Sequence, residues 1–156
     1  MKLVIGILLM LIAVTTVNAG SFYHDPVTCL ALNIYHEARG ESTIGQLAVG
    51  MVTLNRVKSK RYPNTICKVV WQRGQFSWTH DGKSDRPYNK SAWKQSRLIA
   101  VFLYKDYLGF IKKHPDIDFT KGALYYYAPD LANPKWAKKL NVTAVIGSHV
   151  FGSIPR

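Results

Sequence analysis

Glutamate is nearly absent from this chain. Of nine acidic residues among 156, seven are Asp, and the two Glu are Glu37 and Glu41. So small a carboxylate supply argues against a calcium or magnesium cage, and any chemistry that requires a Glu must use one of these two. Cysteine is equally sparse. Cys29 and Cys67 form no CxxC pair, which argues against a thiolate zinc site. The five histidines, His24, His36, His80, His114 and His149, show no metal-ligand spacing. His36-Glu37 begins like the HExxH of zinc proteases, but Gly40 stands where the second His belongs. Neither a phosphate-cradling glycine loop nor a GxSxG nucleophile elbow is found. No metal and no cofactor are therefore expected.

Basic residues, by contrast, are abundant. Lys and Arg number 21, giving a formal net charge of +12. Eleven of them fall between Arg56 and Arg97, where the acids are only Asp81 and Asp85. Such a stretch is attracted to polyanions, whether nucleic acid, anionic lipid or an anionic wall polymer; a solvated basic face is the plainer reading. An apolar fraction of 47% suits one packed domain and excludes a disordered basic tail.

The N-terminus has its own pattern. Lys2 precedes an uncharged, mostly apolar run from Leu3 to Val17, and small residues follow up to Ala19-Gly20. The run is shorter than the ~20 residues of a membrane-spanning helix. A signal peptide over residues 1–19 is expected, with export to the periplasm or cell exterior after cleavage; a buried N-terminal helix or an uncleaved anchor is the other reading. Cleavage leaves 137 residues at net +11. In an exported chain an even pair of cysteines favours a Cys29–Cys67 disulfide, worth about 3–4 kcal/mol by loop-closure entropy. Two buried free thiols are the alternative.

The remainder, residues 20–156, predicts helices followed by a small sheet. Asp25-Pro26 reads as a cap and first helical position, followed by apolar residues at helical spacing: Val27, Leu30, Ala31, Ile34 and Ala38. Gly40 ends that helix. Thr43 and Gln46 form a candidate capping box for a second helix that ends before Tyr62-Pro63. Trp71 to Tyr88 reads as a long irregular loop, the kind that often carries function. A third helix is expected over Ser91 to Leu108. Leu124 to Tyr127 reads as a strand, and Val145-Ile146 pairs with His149–Phe151 around Gly147. The class is α+β.

Helix phasing isolates Glu37. At 100° per residue it lies about 80° from the centre of the apolar stripe, on the border between core and opening. Loss of solvation there raises a carboxyl pKa and keeps it protonated near neutrality, as a general acid toward a glycosidic oxygen requires. A solvated Glu at a helix edge is the bland alternative. His36 falls on the polar side and is expected to be solvated. Aromatics crowd the irregular segments: Trp71, Phe76, Trp78, Tyr88, Tyr125, Tyr126, Tyr127 and Trp136. Flat apolar faces with polar edges suit sugar rings; Phe76 and Trp136 are also candidates for the core.

Several motifs, in order, carry a resemblance. The run CLALNIYHEARGE from Cys29 to Glu41 is followed by Gly45-Gln46, Leu54-Asn55-Arg56-Val57, Tyr62-Pro63 and Cys67. Gln75-Phe76-Ser77, Gly122 to Tyr126, Pro134 to Ala137, and Ile146 to Phe151 complete the series. Together they resemble the SleB/CwlJ family of cell-wall hydrolases, which includes spore cortex-lytic enzymes and exported or phage-borne wall hydrolases. The resemblance implies a single, mainly helical domain like lysozymes and lytic transglycosylases, with a small antiparallel sheet. It also implies one essential Glu, mapping to Glu37.

The implied reaction is cleavage of the β-1,4 bond between N-acetylmuramic acid and N-acetylglucosamine. Retaining and inverting hydrolases need a second carboxylate about 5 Å or 6.5–9.5 Å from the first, and no Asp stands in a motif for that task. A lytic transglycosylase route through Glu37 alone fits better. Glu41 is expected to support the turn or position substrate, and Gln75, Phe76, Ser77, Tyr126 and His149 to line the substrate site. The expected partner is peptidoglycan within an anionic wall rather than nucleic acid, met by a monomer. An amidase acting on the same wall, and a non-catalytic exported polyanion binder, are the competing readings.

Overall fold

The computed structural model describes residues 24–107, 109, 113–114 and 117–155. The expected signal peptide, and Leu108 at the expected end of the third helix, lie outside them.

Helix α1, Pro26–Ala38, starts as its sequence dictates: the Asp25 carboxylate accepts from the Thr28 amide at 2.8 Å, with Pro26 in the first turn. Burial then exceeds the expected stripe. Every residue from Thr28 to Tyr35 is buried, because α1 is packed by α2 (Thr43–Lys58), α3 (Ile66–Val70) and α4 (Lys90–Phe102). A helix that is apolar nearly all round belongs in the core. Each fully buried Leu or Ile on it contributes roughly 1.5–3 kcal/mol. Asn33, the polar exception, is fully buried but satisfied. It donates to Thr53 Oγ1 at 3.1 Å and accepts from Trp78 Nε1 at 3.4 Å.

The corner between α1 and α2 differs from expectation. Ser42, not Thr43, caps α2, its hydroxyl accepting from the Gly45 amide at 3.3 Å. Gln46 instead reaches back to the Glu41 carbonyl at 3.0 Å. The chain leaves α1 at Ala38, so Ser42 is already the last non-helical residue before α2.

α3 was not expected as a helix. Thr65 caps it, and Cys67 within it is bonded to Cys29 of α1, with Cα atoms 5.3 Å apart. The disulfide therefore ties a five-residue helix, too short to be stable alone, to the central one. The irregular stretch after Trp71 contains one short 3₁₀ turn, Ser77–His80. α4 begins at its Asn89 cap and ends at Phe102, and Leu103–Tyr107 continues it as a wider π turn.

The sheet is antiparallel, of strands β1 (Tyr125–Tyr127), β2 (Asn141–Ile146) and β3 (His149–Ser153), in the order β1-β3-β2. Tyr126 stands opposite Phe151, and Ile146 opposite His149. Gly147, at φ 58°, makes the hairpin turn in a conformation L side chains avoid. The class is thus α+β, a mainly helical domain with a small sheet, as expected.

Two side chains of α2 attach the sheet to the helices. Asn55 Nδ2 donates to Asp118 Oδ2 at 2.8 Å, and Asp118 in turn accepts from the amides of Thr120 and Gly122. Arg56 Nε donates to the Leu124 carbonyl at 2.8 Å. Adjacent residues of one motif thereby fix the approach to β1. Ala38, Ala48, Val49, Val52, Ala123 and Phe151 form the small core beneath.

Candidate active site

Glu37 lies in the last turn of α1, and β1 delivers Tyr126 to it. Tyr126 reaches toward the helices, while its strand neighbours Tyr125 and Tyr127 both meet Trp136, at ring separations of 5.5 and 5.7 Å. Tyr126 Oη donates to Glu37 Oε2 at 3.0 Å. Burial raises the Glu37 pKa above its ordinary 4.5; the Tyr126 hydrogen bond and the positive charge of Arg56 pull it down. Burial also raises the Tyr126 pKa well above 10.0, and the neighbouring Glu37 charge adds to this. The hydroxyl is therefore a donor across the working pH range.

Glu37 opens into a cavity of about 210 Å³ lined by Arg56, Gly74, Gln75, Phe76, Tyr125, Tyr126 and Trp136. Among these lining residues Glu37 carries the one carboxyl group. Arg56 is buried from α2, with its guanidinium carbon 5.2 Å from the Tyr62 ring and 5.1 Å from the Phe76 ring.

Glu41 makes a different set of contacts. It accepts from the Ser148 amide at 3.2 Å and from the Ser148 hydroxyl, and lies 3.8 Å from His149 Nδ1. The Ser148 side-chain hydrogen bond is the largest cause of its lowered pKa, and the Ser148 amide and His149 add to it against burial. Burial in turn lowers the His149 pKa from 6.5, against the pull of Glu41, so the ring is neutral at pH 7. The Glu41–His149 contact is accordingly a polar contact there rather than an ion pair. The His149 and Phe151 rings lie 5.4 and 5.8 Å from that of Tyr126. Glu41 thus anchors the β2–β3 turn to the α1–α2 corner, and the hairpin backs Tyr126.

Of the residues read from the sequence, Glu37, Gln75, Phe76 and Tyr126 share the cavity. Glu41 and His149 sit behind it, at the hairpin. Ser77 is exposed at the start of the 3₁₀ turn and does not line the cavity. Four lining residues were not among those expected to line the site: Arg56 and Gly74, and Tyr125 and Trp136, which were named only among the aromatics suited to a sugar ring. Trp136, a candidate for the core, is half-buried and faces the cavity. Arg56 carried a usable signal, being an Arg on the buried face of α2 between Leu54 and Val57. His36 is not solvated as expected. It stacks on Trp78 at 4.4 Å, with Nε2 3.1 Å from the Asp85 carbonyl, because the long loop folds back over that side of α1. Among the described residues, no group of three or more His, Cys, Asp or Glu is placed to hold a metal ion.

Comparison with known proteins gives a consistent result. A family model described as Cell Wall Hydrolase matches residues 40–152, beginning just after Glu37. The spore cortex-lytic enzyme of Bacillus cereus is 34% identical over 137 residues, covering 88% of this chain and 47% of that protein. That of Bacillus subtilis is 31% identical over 139 residues, 89% of this chain and 41% of that protein. The chain spans about half the length of the curated relatives it matches. Among solved structures, the catalytic domain of the germination-specific lytic transglycosylase SleB from Bacillus anthracis superposes with a TM-score of 0.62 at 34% identity. It covers 82% of this chain and 93% of that one. The catalytic domain of Bacillus cereus SleB gives 0.61 at 32% identity, covering 83% and 91%.

Proposed function

The chain belongs to the cell wall hydrolase family, and on that premise we propose that it is a lytic transglycosylase. It cleaves the β-1,4 bond between N-acetylmuramic acid and N-acetylglucosamine in peptidoglycan, with Glu37 as both acid and base. The observation that carries this reading is the solitary Glu37 carboxyl in its cavity, raised in pKa by burial and held by Tyr126. The name of the Bacillus anthracis relative favours the same chemistry.

Protonated Glu37 gives its proton to the glycosidic oxygen as the bond to C1 of the muramic acid breaks. The glucosamine leaves with a free 4-hydroxyl. Glu37, now a carboxylate, takes the proton of the muramic acid 6-hydroxyl while that oxygen bonds to C1. An internal 1,6-anhydro ring forms, no water is consumed, and Glu37 ends protonated. Gln75 and the Tyr126 hydroxyl supply polar groups for the sugar, while Phe76, Tyr125 and Trp136 supply flat apolar surface.

The Cys29–Cys67 bond suits an oxidising compartment, and export is part of the proposal, with the basic stretch from Arg56 to Arg97 drawn to the anionic wall. The test is mass spectrometry of muropeptides released from purified sacculi. Anhydro-muramyl ends from the wild type, and none from Glu37→Gln, are expected. Reducing ends would replace transglycosylation by hydrolysis, and cleavage between muramic acid and the stem peptide would replace both.

A further inference from the structure

Arg56 has more donors than the fold uses. Its Nε is committed to the Leu124 carbonyl. Its Nη1 is buried without a hydrogen-bond acceptor, although the residue is only 5% exposed. Guanidinium stays charged at any working pH. Leaving one of its nitrogens buried with no acceptor from the protein is costly, and such groups in native folds call for an explanation. The explanation lies in what Arg56 faces, for it lines the same 210 Å³ cavity as Glu37. Tyr62 and Phe76 flank the guanidinium at 5.2 and 5.1 Å and keep it in place.

Resting on the acid–base reading of Glu37, we infer that Arg56 is the counter-charge of Glu37. It is a positioning residue whose buried positive charge stabilises the Glu37 carboxylate that exists between the proton-donating and proton-accepting steps. A single-carboxylate mechanism must pass through that anion within a closed site. There, an isolated buried charge is expensive and a fixed opposite charge is worth far more than in water. While Glu37 is neutral, Arg56 does little for it. Once the proton leaves, the attraction switches on, and the group becomes a stronger acid in the first half and a persisting base in the second.

The other titratable or charged groups around Glu37 do not fill this role. Tyr126, from β1, is a neutral hydroxyl, its pKa raised by burial. Arg61 is exposed, and its Nη2 donates to Tyr125 Oη at 3.1 Å. Tyr62 is neutral, its pKa pushed up to about 12 chiefly by burial. Lys135, Lys138 and Lys139, on the turn that carries Trp136, are exposed. Glu41 is engaged by Ser148.

The scarcity of glutamate makes the test direct. With ¹³C label in the Glu carboxyl groups, the protein gives only two signals, and Glu41 serves as the internal control. Removing the charge in Arg56→Met is expected to move the Glu37 titration up by about one unit or more, with that of Glu41 unmoved. The falling alkaline limb of anhydro-muropeptide release from sacculi should shift with it, and kcat should drop by about tenfold or more. Arg56→Lys keeps the charge and should hold the Glu37 titration near that of wild type while restoring most of kcat. A folded Arg56→Met with an unmoved Glu37 signal overturns the inference. If Arg56→Met does not fold, Arg56→Lys decides alone, and a Glu37 titration displaced by about a unit in spite of the retained charge overturns it. Because the titration is read without substrate, it stands apart from the catalytic reading, which fails separately if Glu37→Gln still releases anhydro products.

Discussion

The Tyr126 hydroxyl donates to Glu37 at 3.0 Å, joining residues 89 apart in the chain. This bond stabilises the charged form of Glu37. Tyr126→Phe removes it and leaves the ring, so the Glu37 pKa should rise further. The alkaline limb of the rate profile should move to higher pH, and kcat should fall about tenfold, the worth of one hydrogen bond to a charged group. Pre-steady-state kinetics against pH is the check. An unaltered profile would reduce Tyr126 to a packing residue.

The two glutamates predict opposite effects on stability. Glu37 has a raised pKa when folded, so the folded state holds its proton more tightly than the unfolded chain. That group costs nothing below the unfolded value near 4.5, and its penalty grows as pH rises toward the folded value. Glu37→Gln should therefore melt higher than wild type at pH 7, with the gap closing toward pH ~3. Glu41 is lowered when folded, so its stabilisation is present above 4.5 and is lost as pH falls through the folded value. Glu41→Gln should melt lower at pH 7, by about 1 kcal/mol once solvent screening is allowed for, and this gap too should close in acid. Calorimetry across pH distinguishes the two signs.

How much of this was readable beforehand depends on the range of the interaction. Asp25-Pro26, the apolar spacing of α1 and the turn at Gly147 act locally, and they marked a helix and a hairpin. Placing Glu37 at the rim of the core needed only helix phase. The cap at Ser42 was missed because Thr43 and Gln46 offered an equally good local pattern. α3 was missed because five residues give no period to read; its place comes from Cys67 meeting Cys29. Tyr125 and Trp136 reach the cavity through strand pairing and a turn far along the chain, and no local pattern encodes that; Arg56 arrives on α2, where its place among buried apolar neighbours was the signal. His36 looked solvated by phase alone, and only the return of the loop carrying Trp78 covers it.

Reduction of the disulfide should loosen α3 before the rest. The bond closes a separation of 38 residues, and the loop-entropy estimate gives about 4 kcal/mol. Cys67→Ser and Cys29→Ser/Cys67→Ser should lower the urea midpoint by similar amounts, with a somewhat steeper slope because the unfolded chain is no longer cross-linked. Amide exchange should accelerate first over residues 66–70. Uniform acceleration over α1 to α4 would mean that the bond stabilises the domain as a whole, with no special hold on α3.

Trp136 separates the two readings of an aromatic in this fold. As a core residue it would lower stability when truncated and leave substrate affinity alone. The geometry favours the other result: it is half-buried, lines the cavity with Glu37 and meets Tyr125 and Tyr127 edge-on or tilted. Trp136→Ala should raise KM for glycan strands about fivefold to tenfold, the worth of a ring contact of about 1–1.5 kcal/mol. Its kcat should hold, because the Tyr126–Glu37 hydrogen bond is left in place. Trp136→Phe, which retains a flat face, should recover most of the affinity. A fall in melting temperature with unchanged KM would return Trp136 to the core and leave Tyr125 and Phe76 as the aromatic surface of the cavity.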